Sequence, residues 1–99
     1  MYYVYMLRCI DNSLYTGTTN DVNKRYEKHL LGTGAKYTRA HKPVSIELII
    51  ECVSKSEALK LERKIKSLRK SQKEQLILKD TKVINNLDIH IQNIKKSNE

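Results

Sequence analysis

The sequence predicts an α+β fold: a small, mainly antiparallel three-stranded sheet flanked by helices, in the order β-β-α-β-α-α. Three observations carry this reading. Residues 2–9, YYVYMLRC, and 14–18, LYTGT, are strand-like runs separated by IDNS, whose Asp and Asn tolerate left-handed backbone and bond locally. A third run, VSIELIIECV at 44–53, alternates in polarity, with Val44, Ile46, Leu48, Ile50 and Cys52 on its more apolar face. Around these runs, apolar residues recur at helical spacing.

The first helix is expected over DVNKRYEKHLL, with Thr19 or Asn20 as N-cap and Val22, Tyr26 and Leu30 along one face. Gly32 and Gly34 stop it. The basic loop GTGAKYTRAHKP has room for one short helical turn. Ser54 with Glu57 forms a capping box for a helix whose stripe is Ala58, Leu61, Ile65 and Leu68. A second box, Ser71 with Glu74, opens a shorter helix over QKEQLILK. Ile84, Leu87, Ile91 and Ile94 are spaced like a helix face, but Asn85 and Asn86 interrupt them. A third packing helix, an oligomer contact and a frayed end all fit that tail.

A chain of 99 residues with 39% hydrophobic and 30% charged residues has one core and a well-solvated surface. No apolar run approaches the roughly 20 residues that span a bilayer. The start, MYYVYML, lacks a charged leader and a cleavage site, so a cytoplasmic protein is expected. Cys9 and Cys52 stand alone inside strand-like runs, which fits reduced core residues. The net charge of +8 is segregated: residues 24–42 carry net +5 and residues 55–73 net +6. Two such segments can form a patch for a phosphate backbone, or two solvated helix faces.

The tyrosines raise a question of parity. With a two-residue loop at Asp11–Asn12, Arg8 opposes Tyr15 and Tyr5 faces the other way; with a three-residue loop at Asp11–Ser13, Tyr3, Tyr5 and Tyr15 share a face. Arg25 and His29 are one helical turn apart, a guanidinium that can grip phosphate beside an imidazole that can exchange a proton. The plainer alternatives are an Asp21–Arg25 pair and a core histidine. Glu62 stands among basic residues and next to Ala58: it is either an i, i+4 partner of Lys66 or a carboxylate for Mg²⁺. GTG at 32–34 is not a phosphate loop, and His41 and His90 lack partners at metal-ligand spacing.

YVY at 3–5, YTG at 15–17, an Arg on the next helix and a Glu on the helix after the third strand resemble the GIY-YIG nuclease superfamily. Residues 1–78, including GAKYTRAHKPV, look like its small single-domain bacterial branch of predicted endonucleases. Tyr3-Val4-Tyr5 stands where GIY would and Tyr15-Thr16-Gly17 where YIG would. The chain then divides into a nuclease-like domain, 1–80, and a tail, 81–99, partly ordered or helical. The resemblance implies metal-dependent cleavage of DNA phosphodiester bonds, structure-selective or weakly specific, in repair or processing. It makes Tyr5 and Tyr15 the catalytic phenols, Arg25 the phosphate clamp, His29 an auxiliary acid/base and Glu62 the ligand of one Mg²⁺ (or Mn²⁺), weakly held without substrate. Gly17 gives close approach at the site. Lys24, Lys28, Lys36, Arg39, Lys42, Lys66 and Arg69 would contact DNA. The competing expectations are a module of the same fold that binds nucleic acid without cleaving it, and a protein-interaction domain.

Overall fold

A computed structural model of the chain describes residues 1–95. It is α+β, with one antiparallel sheet of four strands in the order β2-β1-β3-β4. Strands β1 (Tyr2–Cys9) and β2 (Leu14–Thr19) form the hairpin, α1 (Val22–Leu30) and α2 (Lys36–Ala40) follow, and β3 (Pro43–Cys52) returns beside β1. Helices α3 (Lys55–Lys66), α4 (Lys70–Ile77) and α5 (Thr81–Asn86) come next, then a 3₁₀ turn (Ile91–Asn93) and β4 (Ile94–Lys95). The expected three-stranded order is therefore corrected at two places. The basic loop yields α2, and the tail yields α5 and a fourth strand, in which Ile94 pairs with Ile50 and covers the outer edge of β3. The single helical face expected for the tail does not form: Ile84, Leu87 and Ile94 are buried but Ile91 is exposed.

The hairpin closes on Ile10, Asp11 and Asn12, with Cys9 N donating to Ser13 O and Asn12 in the left-handed region at φ 70°. The loop is three residues long but begins one residue earlier than Asp11–Ser13. Leu7 opposes Tyr15 and Tyr5 opposes Gly17. Tyr3, Tyr5 and Tyr15 consequently share one face of the sheet.

The two faces have separate cores. Val4, Met6, Leu48, Ile50 and Cys52 pack against Ala58 and Ile65 of α3, Leu76 of α4, and Val83 and Ile84 of α5. Tyr5, Leu7 and Ile46 pack against Val22, with Tyr3, Tyr15 and Tyr26 around them. Ile46 does not share the face of Leu48, as simple alternation requires. The pairing of β3 with β1 skips Glu47, and that bulge turns Ile46 to the other side. A second irregularity leaves Val44 exposed.

Local signals also resolve differently. Asp21, not Thr19 or Asn20, caps α1 by accepting from Lys24 N at 3.1 Å. Leu30 faces solvent, and His29 takes the buried place at that end of the helix. Ser54 caps α3 by accepting from Glu57 N at 3.2 Å. The Ser71–Glu74 box does not form: α4 begins at Lys70, where Gln72 Oε1 accepts from Arg69 N. Glu74 is engaged elsewhere. Its carboxylate holds the Arg8 guanidinium in a fork, Nη2 to Oε1 at 2.7 Å, while Arg8 Nε donates to Glu47 at 2.9 Å. This cluster ties β1, the β3 bulge and α4 together, and Arg8 holds the Glu74 carboxyl below the usual carboxylate range.

Replacing Arg8 with Met leaves two half-buried carboxylates facing each other. Urea denaturation at pH 7 should show a loss of about 2 kcal/mol, and a Glu74→Gln variant should lose less because it removes one of the opposed charges.

Candidate active site

Tyr5 stands in the middle of β1 and is 2% exposed. Its ring lies across the neighbouring strand on Gly17: a Cβ at Gly17 would come 2.6 Å from Tyr5 Oη and 2.7 Å from Cζ. The phenol can reach over β2 only because residue 17 has no side chain. Its hydroxyl meets Nε2 of His29 at 2.7 Å. His29, on the last turn of α1, is 1% exposed.

The far side of the imidazole is held by the segment after α1. His29 Nδ1 lies 2.7 Å from Oγ1 of Thr38, a buried residue of α2. Gly34 packs against the ring, where a Cβ would come 2.5 Å from Nδ1. The Gly34 carbonyl accepts from Arg25 Nη2 at 3.2 Å. Arg25 thus makes no pair with Asp21, whose side chain is used as the cap. One arm of its fork is pinned to the loop beside Tyr5, leaving other N–H groups for an anion.

Tyr15 completes the cluster. Its ring centroid is 6.3 Å from that of Tyr5 and 5.2 Å from that of His29, edge to face. On its other side it stacks on Tyr37, which stacks on His41 at 4.1 Å. His41 Nδ1 meets Asp11 Oδ2 at 2.6 Å, which ties the hairpin tip to the end of α2. Hydrogen bonds from Ser13, then from His41, pull the Asp11 carboxyl down to about 2.

Burial governs the protonation of the centre. It pushes the Tyr5 phenol up to about 12; Arg25 opposes that shift and Tyr15 adds to it. Burial also drives His29 down to about 4, helped by the Arg25 charge. At neutral pH the centre holds a protonated phenol, a neutral imidazole and one fixed cation. Such a site draws in an anion, and a proton can pass along its hydrogen bonds.

Glu62 lies apart from this group. It belongs to α3, which packs on the opposite face of the sheet, and its carboxylate pairs with Lys66 Nζ at 3.1 Å. Its side chain is 17% exposed. Helix α3 runs beside β1 and the edge strand β2, the strands that carry the phenols. Among the described residues no group of three or more His, Cys, Asp or Glu gathers as a metal cluster. The basic residues divide in the same way. Lys24, Lys28, Lys36, Arg39 and Lys42 are exposed in the layer of α1 and α2, whereas Lys66 and Arg69 belong to the layer of α3 and α4. No helix among the described residues is long and apolar enough to cross a membrane.

Sequence reasoning missed Gly34, Thr38, Tyr37 and the Asp11–His41 pair. Tyr37 and His41 at i, i+4 carried a helical signal. Nothing local marked Gly34 or Thr38, which matter only through His29.

The model of the GIY-YIG catalytic domain matches residues 1–75. A UPF0213 protein of Fusobacterium nucleatum is 48% identical over 96% of this chain and 91% of its own length. Another UPF0213 protein, from Halobacterium salinarum, is 46% identical over 77% of this chain and 99% of its own. The solution structure of the UPF0213 protein BH0048 from Bacillus halodurans superposes with a TM-score of 0.53 at 44% identity, covering 81% of this chain and 86% of that one.

Two outcomes follow from the site geometry. Gly17→Ala should displace the Tyr5 ring, destabilise the fold by about 1–3 kcal/mol, and shift the NMR signals of the His29 ring. Because the folded pKa of His29 is depressed, its contribution is present above the unfolded value of 6.5 and is lost as pH falls toward about 4. Chemical denaturation should show stability falling by about 2 kcal/mol between pH 7 and pH 5, and by much less in His29→Gln.

Proposed function

We propose that this chain, which belongs to the GIY-YIG catalytic-domain family, is a metal-dependent endonuclease that cleaves DNA phosphodiester bonds. The observation that carries the reading is the Tyr5–His29 hydrogen bond, seated on Gly17 with Arg25 beside it.

In this reading Arg25 grips non-bridging oxygens of the scissile phosphate and offsets the charge that builds on phosphorus. Tyr15, the more exposed phenol, orients the attacking water. Tyr5 takes the water proton while its own phenolic proton passes to His29 Nε2, so no phenolate accumulates in a site that disfavours one. Phosphate binding assists this transfer, because it offsets the Arg25 charge, which adds to burial in keeping His29 neutral.

Glu62 is the residue that would hold Mg²⁺ or Mn²⁺. A single carboxylate whose only partner among the described residues is an exposed lysine has spare oxygen valence, which suits one weakly held ion that would take its other ligands from water and substrate. When bound, the ion supplies charge neutralisation at the leaving oxygen. With α3 on the face opposite the phenols, the substrate lies across the β2 edge, beside which α3 runs. The exposed lysines and arginines of α1, α2 and Lys42 hold the backbone on one side, and Lys66 and Arg69 on the other. A single short domain reads few base pairs, so action is structure-selective or weakly specific, as in DNA repair or processing.

The separation of Glu62 from the phenols favours one other reading, a module of this fold that binds nucleic acid without cutting it. Both are tested with supercoiled plasmid and Mg²⁺. Nicking should stop with a chelator and drop roughly a hundredfold in Tyr5→Phe, Arg25→Ala and Glu62→Ala, with Glu62→Ala still binding DNA. Equal nicking by all variants would overturn the nuclease site; salt-sensitive binding with no cleavage of duplex, single-stranded or branched DNA would select the binding module.

A further inference from the structure

Thr38 has no part in the proposed cleavage, yet its hydroxyl is closely surrounded. Thr38, His29 and Tyr5 are each at most 2% exposed, so their polar atoms have one another and little else. Thr38 Oγ1 has three neighbours within hydrogen-bond distance: Ala35 O at 3.1 Å, Ala35 N at 3.3 Å and His29 Nδ1 at 2.7 Å. A hydroxyl carries one proton and two lone pairs.

Only one proton arrangement satisfies all three contacts. The Thr38 proton goes to Ala35 O, and the two lone pairs accept from Ala35 N–H and from His29 Nδ1–H. Nε2 is then bare and accepts the Tyr5 hydroxyl proton across 2.7 Å. In the reverse arrangement Thr38 donates to Nδ1 and surrenders its bond to Ala35 O. His29 then points Nε2–H at Tyr5 Oη, and the Tyr5 proton loses the imidazole as its acceptor and turns to Tyr15. The arrangement that gives up the buried Thr38–Ala35 O hydrogen bond is the costlier one.

We propose that Thr38 is a positioning residue that locks His29 in its Nδ1–H tautomer, so that the hydrogen-bond chain runs from Tyr5 through His29 to Thr38 and Ala35 O. Gly34 serves the same end, since its lack of a side chain lets the loop close on the imidazole and set the ring plane. The mechanistic consequence rests on the nuclease reading above. A bare Nε2 can take the Tyr5 proton as Tyr5 takes one from water, whereas a protonated Nε2 cannot. The tautomer therefore decides whether Tyr5 can act as a base, through a residue that never touches the substrate.

The test is ¹⁵N NMR of the His29 ring in the full chain at pH 7, on wild type, Thr38→Val and Thr38→Ser, with plasmid-nicking kinetics alongside. Wild type should show a protonated Nδ1 and a bare Nε2. Thr38→Val should shift the population toward Nε2–H and lower kcat roughly tenfold or more with KM little changed, and Thr38→Ser should restore both the tautomer and most of kcat. A wild-type spectrum with Nε2 protonated would overturn the proposal, whatever the variants do. So would a folded Thr38→Val that keeps the wild-type tautomer and kcat. If the tautomer behaves as expected while even wild type cuts no DNA, the role of Thr38 stands and the nuclease reading fails.

Discussion

Tyr5 lies on Gly17 because the β1–β2 hairpin closes on three residues with Asn12 in the left-handed region. The hydrogen bond from Tyr5 to His29 depends on that placement. A loop one residue shorter would send Tyr5 to the face that packs under α3 and take the phenol away from His29 Nε2. A glycine must then sit opposite the phenol, because any side chain there would occupy the space of its ring. Turn chemistry at 10–13 and a missing Cβ at 17 thus act together.

Placing this group in a dry layer has electrostatic consequences. A phenol and an imidazole are both neutral near pH 7 when buried, and among the described residues the fixed cation beside them is met by a carbonyl and the phenol, not by a carboxylate. The site therefore stores an unmet demand for negative charge without the cost of burying an ion pair. The opposite layer is built differently. There Arg8 is fully matched by Glu74 and Glu47, and the cluster serves cohesion rather than chemistry. Two arginines on the two faces of one small sheet differ in what they have left over.

How much of this was legible in the sequence depended on distance along the chain. Tyr5, Tyr15, Gly17, Arg25 and His29 all fall within one hairpin and the helix after it, so alternation and the helical turn already place them near one another. The parity of the hairpin was left open, because loops of two and three residues suit the same composition. Interactions that close over long separations gave no local sign. The Glu47 bulge, which turns Ile46 over, follows from pairing across to β1, where the released Glu47 meets Arg8. Glu74 reads as a cap until Arg8 claims it. A strand of two residues such as β4 has no period to detect, and the spacing that suggested a helix in the tail is divided among a helix, a 3₁₀ turn and that strand. Glu62 illustrates the limit most clearly: its place on α3 was readable, but which side of the sheet α3 would cover was not.

Helix α2 has only five residues, too few to hold its own shape in water. Its persistence is borrowed from the Thr38 hydroxyl, the Tyr37 ring and the tether from His41 to Asp11. In return it supplies the wall against which His29 is set. The strap thus joins the hairpin tip to the tyrosine–histidine cluster, and it carries Lys36 and Arg39 with it.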